Sequence, residues 1–149
     1  MECSRSNIIR GTLASVLMIT AAAHVAVAQP PSAAVTDTPA ASRGAYTEAQ
    51  AARGESTYRA SCTSCHATSA HVGDAFVRAW AGRTAFDLFE LIRTTMPNDN
   101  PGRLSRQEYA DIVAYMFKLN RFPPGERPLP TDDEGLKQVR IEAKSASTP

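Results

Sequence analysis

Two stretches of the chain carry apolar residues at helical spacing, and none carries the sustained alternation of a strand. In "GRTAFDLFELIRTT", Phe86, Leu88, Phe89 and Ile92 follow Thr84, whose hydroxyl can cap a first turn, so a helix is expected from about Ala85 to Thr94. It must stop there, because Pro97 lacks an amide donor and biases Met96 toward extended angles. "NDNPG" is then a turn cluster. Beyond it, Ser105 and Glu108 form a capping box, and Tyr109, Ile112, Val113 and Met116 share one face of a helix ending near Asn120. An earlier helix is marked by its start: "TEAQ" reads as a capping box of Thr47 and Gln50, with the helix reaching about Ser61. The segment between His66 and Trp80 is short and mixed, without a period.

The flanks differ. "MECSRSNIIR", the apolar "GTLASVLMITAAA" and the small-x-small "AVA" predict a signal peptide over residues 1–28, cleaved after Ala28. His24 interrupts the apolar run before the ~18 residues a spanning helix needs, so no membrane insertion is expected after cleavage. Residues 29–45, built from Pro, Ala, Ser and Thr, read as a flexible lead-in. Residues 46–121 read as one small all-α domain, and the Pro-rich, charged residues 122–149 as an extended tail outside the core.

Cleavage changes the chemistry available. The 149-residue chain holds three cysteines and three histidines, but the exported part keeps only Cys62, Cys65, His66 and His71, with acidic and basic residues in balance. A neutral protein has no global field for nucleic acid or an anionic membrane, so neither is expected as a partner.

Cys62, Cys65 and His66 lie together in "CTSCH". Zinc needs four ligands, and only His66 and His71 could complete the set. A thioredoxin-like dithiol usually opens a helix after a strand, a context this chain lacks. The third reading is covalent haem: two thiols three positions apart meet the two vinyl groups, and the adjacent imidazole binds the iron. One haem would also add buried apolar area to a domain whose core is marginal for its size. For the other axial position, His71 is too close to His66, and Met116 lies on the apolar stripe of the last helix. Met96, about 30 residues past His66 and held extended by Pro97, is the better candidate.

Together "CTSCH", "TTMP" and "YADIVAYMF" resemble class I cytochromes c, and Gly54, Tyr58, Ile112 and Tyr115 stand where that family crosses its first and last helices. The resemblance implies a few helices wrapped around one covalently attached haem c. More narrowly, the stretch from Ala75 to Gly125 is similar to the single-haem cytochromes that accompany, or are fused to, periplasmic quinoprotein alcohol dehydrogenases. That likeness implies a periplasmic one-electron carrier, not itself an enzyme, taking electrons from a dehydrogenase and passing them toward a terminal oxidase or another cytochrome. The rivals are a sensor or peroxidase-like enzyme with an open distal site, and a permanent haem subunit of a dehydrogenase. One departure stands out: many relatives have a proline after the motif whose carbonyl receives the His ring N–H, and "CHATSAHVGDAF" has none. Trp80 and Arg83 are candidates for the haem propionates, with core packing the alternative for Trp80.

Overall fold

The computed structural model describes residues 40–142, within which there are five α-helices and no strand. The expected signal peptide and the lead-in as far as residue 39 lie outside the described residues. Helix α1 spans Glu48–Ser61, α2 Asp74–Trp80, α3 Ala85–Thr95, α4 Arg106–Leu119 and α5 Asp133–Gln138. None of these is long and apolar enough to cross a membrane.

Local chemistry sets the starts of α3 and α4. Thr84 accepts from the Asp87 amide while the Asp87 carboxylate accepts from the Thr84 amide, and Ser105 and Glu108 do the same for α4. Each box satisfies two amides that a helix start otherwise leaves unpaired. Helix α1 keeps half of the expected box. Thr47 accepts from the Gln50 amide at 3.2 Å, but the Gln50 side chain does not reach back. It is fully buried, donating to the Leu129 carbonyl at 3.1 Å and accepting from the Leu129 amide at 2.6 Å.

Helices α1 and α4 form the most extensive helix contact. Gly54 makes it possible: a Cβ placed there would lie 1.8 Å from the Asp111 carbonyl oxygen of α4. Beside the crossing, Arg53 donates to both oxygens of the buried Asp111 carboxylate, at 2.8 and 3.1 Å, and Gln107 donates to one of them. The Asp111 charge is thereby paired and fully bonded, as burial requires.

The expected domain limits need correction at both ends. Residues 122–142 are part of the core and not an extended tail: Phe122, Leu129, Leu136, Val139 and Ile141 are all buried in it. After leaving α4 the chain is tied to α1 by Gln50, and to the segment just before α1 by Tyr46, whose hydroxyl donates to the Phe122 carbonyl at 2.7 Å. Burial first, and the Glu48 carboxylate second, push that phenol up to about 12, so the hydroxyl stays a donor past the pH at which an ordinary phenol ionises. Helix α5 then packs on α3, and the segment after it pairs with the start of α3 through Ala85 N–H to Val139 O and Ile141 N–H to Arg83 O. Residues 40–45 are likewise ordered, with Ala40, Ala41 and Ala45 buried and Ala41 N–H bonded to Arg140 O. Sparse apolar residues suffice here because the segment's backbone groups find long-range partners.

A test follows from Leu136, which has no solvent exposure. Leu136→Ala is expected to lower unfolding free energy by about 2–5 kcal/mol in denaturant titrations, as for other buried Leu truncations. A peripheral tail would give a change within about 0.5 kcal/mol.

Candidate cofactor site

The C-terminal end of α1 turns directly into the cysteine motif. Cys62 caps the helix, its N–H bonded to Tyr58 O, and its own carbonyl accepts from both the Cys65 and His66 amides, at 3.1 and 2.9 Å. This tight turn carries Cys62, Cys65 and His66 onto the wall of one cavity of about 510 Å³. Cys62 and His66 are half-buried, and Cys65 is exposed; the two thiols are unpaired.

Met96 lines the same cavity from the end of α3. Its backbone is extended, with φ −128° and ψ 150°, as expected of a residue before proline. Both its backbone groups are held: the N–H donates to Ile92 O at 2.8 Å, and the carbonyl accepts from the Tyr109 hydroxyl at 2.7 Å. Leu88 and Ile92 of α3, Phe76 and Trp80 of α2, and Ile112 and Met116 of α4 supply apolar wall. Met116 therefore packs in the core, as expected, and also faces the cavity.

Helix α2 has no counterpart in the sequence expectations. Its seven residues start after Gly73, which has φ 75° and offers no side-chain cap; Asn120, buried at the end of α4, accepts from the Gly73 amide instead. A polar residue closing an apolar stripe is the only sequence signal for Asn120. Trp80 is half-buried against the core and lines the cavity. Arg83 does not line it; its guanidinium lies over the Trp80 ring, 5.3 Å from the centroid. Among the described residues the cation on the cavity wall is Arg103, which the sequence pattern did not single out.

The electrostatics suit an apolar occupant. Burial pushes the Cys62 thiol up, opposed in part by Arg103. Burial, and then His66, hold the His71 imidazole below its ordinary value. Both groups thus favour their neutral forms on this wall. The buried Tyr58 hydroxyl has no hydrogen-bond partner among the described residues, although Tyr58 lines the cavity, which leaves a donor available to an occupant or a water.

The cavity bears on the three chemistries of the motif. Among the described residues no group of three or more His, Cys, Asp or Glu converges as a metal site. A dithiol needs no enclosed space. About 510 Å³ lies within the ~300–1,000 Å³ of small-molecule and cofactor sites, and an apolar wall with two thiols and an imidazole fits a large apolar macrocycle.

Helices packed around such a cavity, with the Cys-x-x-Cys-His turn on its wall, form the small all-α cytochrome c fold. Residues 49–116, from the second residue of α1 to Met116, match the family model for cytochrome C oxidase, cbb3-type, subunit III. The match supports a class I c-type cytochrome, and with it haem binding and electron carriage. No significant match was found among curated proteins or among solved structures.

Proposed function

We propose that the protein is a periplasmic one-electron carrier holding a single haem c, bonded through Cys62 and Cys65, with His66 and Met96 as the axial ligands of the iron. The observation that carries this reading is the gathering of those four side chains on one largely apolar cavity. When bound, the haem supplies a one-electron couple. The chain supplies the rest. Cys62 and Cys65 tether the group, so it is not lost between partners. His66 and Met96 fill both axial positions and leave none for a substrate, and the thioether favours the reduced state. Phe76, Leu88, Ile92 and Met116 exclude water from the interior, and Arg103 offers a cation to a carboxylate of the group.

For partners, a terminal oxidase or another cytochrome as acceptor rests on the sequence resemblance, while the family match carries the name of an oxidase subunit. A periplasmic dehydrogenase as donor rests on the sequence resemblance from Ala75 to Gly125. Export rests on the pattern of residues 1–28.

The exported protein is expected to begin near Gln29 and to carry one haem that stays on the polypeptide through denaturing electrophoresis. N-terminal sequencing and haem staining of the gel check both. A haem-free chain whose two thiols bind zinc would sink the reading.

A further inference from the structure

The His66 ring has two nitrogens, and iron ligation uses one. A metal-bound histidine almost always donates its other N–H to an acceptor that fixes the ring and raises its basicity. The chain has no proline directly after the motif, and Asp99, the one carboxylate among the described residues on the cavity wall, belongs to the turn beyond Met96. What the structure places beside His66 is His71. The ring centroids are 5.3 Å apart and the planes inclined at 58°. That separation matches two imidazoles meeting edge to edge through an N–H···N bond of about 3 Å. Neither ring hydrogen-bonds to any described residue, so both have nitrogens to spare.

The position of His71 is built, not incidental. Its carbonyl accepts from the Asn120 side-chain amide at 2.8 Å; the same amide group donates to Met116 O, and the Asn120 oxygen accepts from Gly73 N–H at 2.9 Å. One buried asparagine thus pins both ends of the short 71–73 loop to the last turn of α4. The Tyr58 ring meets the His71 ring edge-on, with centroids 6.0 Å apart and planes at 85°, and limits its rotation.

We propose that His71 is a positioning residue: its side chain accepts the second ring N–H of His66, and in doing so orients the axial imidazole and strengthens it as a donor to the iron. This rests on the reading of His66 as an axial ligand. A stronger donor stabilises the ferric form, so loss of the acceptor raises the reduction potential.

The test uses the exported, haem-loaded protein. In the ferrous wild type labelled with nitrogen-15, the two facing ring nitrogens of His66 and His71 are expected to share a scalar coupling across the hydrogen bond. His71→Phe keeps a ring on the wall but removes the acceptor. Its potential is expected to rise by an amount equal to about a tenfold change in the ferric-to-ferrous equilibrium, the lower end of outer-partner effects, or about 59 mV for one electron. His71→Gln, whose carbonyl can accept, is expected to restore most of that shift. A merely structural His71 would change the melting temperature and leave the potential alone. Absence of the coupling in the wild type, or a His71→Phe protein with intact haem absorption and an unchanged potential, overturns the proposal and leaves His66 ligation standing. An exported wild type without haem overturns the underlying reading instead.

Discussion

Gly54→Ala is expected to lower the stability of the haem-loaded protein by about 3 kcal/mol or more, the upper end of the usual cost of overpacking. Helix propensity predicts the opposite sign, since Ala in a helix interior is worth about 1 kcal/mol more than Gly. The clash decides between them. The added methyl would lie 1.8 Å from Asp111 O and 2.4 Å from Asp111 C, and these are backbone atoms that no rotamer change can move. Helices α1 and α4 would have to part, loosening the Arg53–Asp111 pair beside the contact. At roughly 4–8 °C per kcal/mol for a domain of this size, the melting temperature should fall by about 12 °C or more. Gly54→Val should fall further. Ala52→Gly, on the exposed side of the same helix, should lose only about 1 kcal/mol. A Gly54→Ala melt at or above wild type would show that the helices do not approach at this point. Parting them also touches the site, because α1 leads into Cys62 while α4 brings Ile112 and Met116 to the same cavity.

What the sequence made legible was what is local. The starts of α3 and α4 are fixed by hydrogen bonds between residues three apart, and Cys62, Cys65 and His66 are gathered by two bonds to one carbonyl. Pairs so close in sequence can be read from it directly. Gln50 shows where this stops. A Gln three residues after a Thr serves equally well as a cap or as a buried partner for a remote backbone, and Leu129, 79 residues away, offers both an N–H and a C=O. Pairing a fully buried amide at both ends outweighs capping an exposed one.

The place of the C-terminal segment is illegible in the sequence for the same reason. Leu129, Leu136, Val139 and Ile141 are separated by prolines and charges and show no period, yet each fills a place prepared by α1, α3 or the residues before α3. Helix α2 escaped because its start is capped from Asn120, 47 residues downstream. In the site, Met96 could be proposed from its neighbour Pro97. Arg103 and Asn120 could not, since their roles depend on which loops lie opposite.

Met96→Ala is expected to have the largest functional effect. The wild-type backbone holds this residue at both its N–H and its carbonyl, and the buried Tyr109 hydroxyl ties the loop to α4, so the side chain is presented to the cavity by a rigid support. If its sulfur fills the sixth position, carbon monoxide must displace a tethered ligand and binds the reduced wild type poorly. Met96→Ala removes the competitor without touching the support: affinity for the gas should rise sharply, and the weak red absorption of a ferric thioether complex should vanish. The reduction potential should fall by on the order of 100 mV, within the roughly 0.8 V over which axial ligands tune haem. Met116→Leu is the control on the same wall. A volume-conserving swap of this kind usually costs under about 1.5 kcal/mol, and it should leave spectrum and potential unchanged. A sensor or peroxidase-like protein behaves otherwise, with a wild type that takes up carbon monoxide readily and a Met96→Ala variant that differs little from it. That result would replace the carrier with an open-site haem protein while keeping Cys62, Cys65 and His66 in their roles, because the attachment turn and the thioether loop reach the cavity from separate helices, α1 and α3.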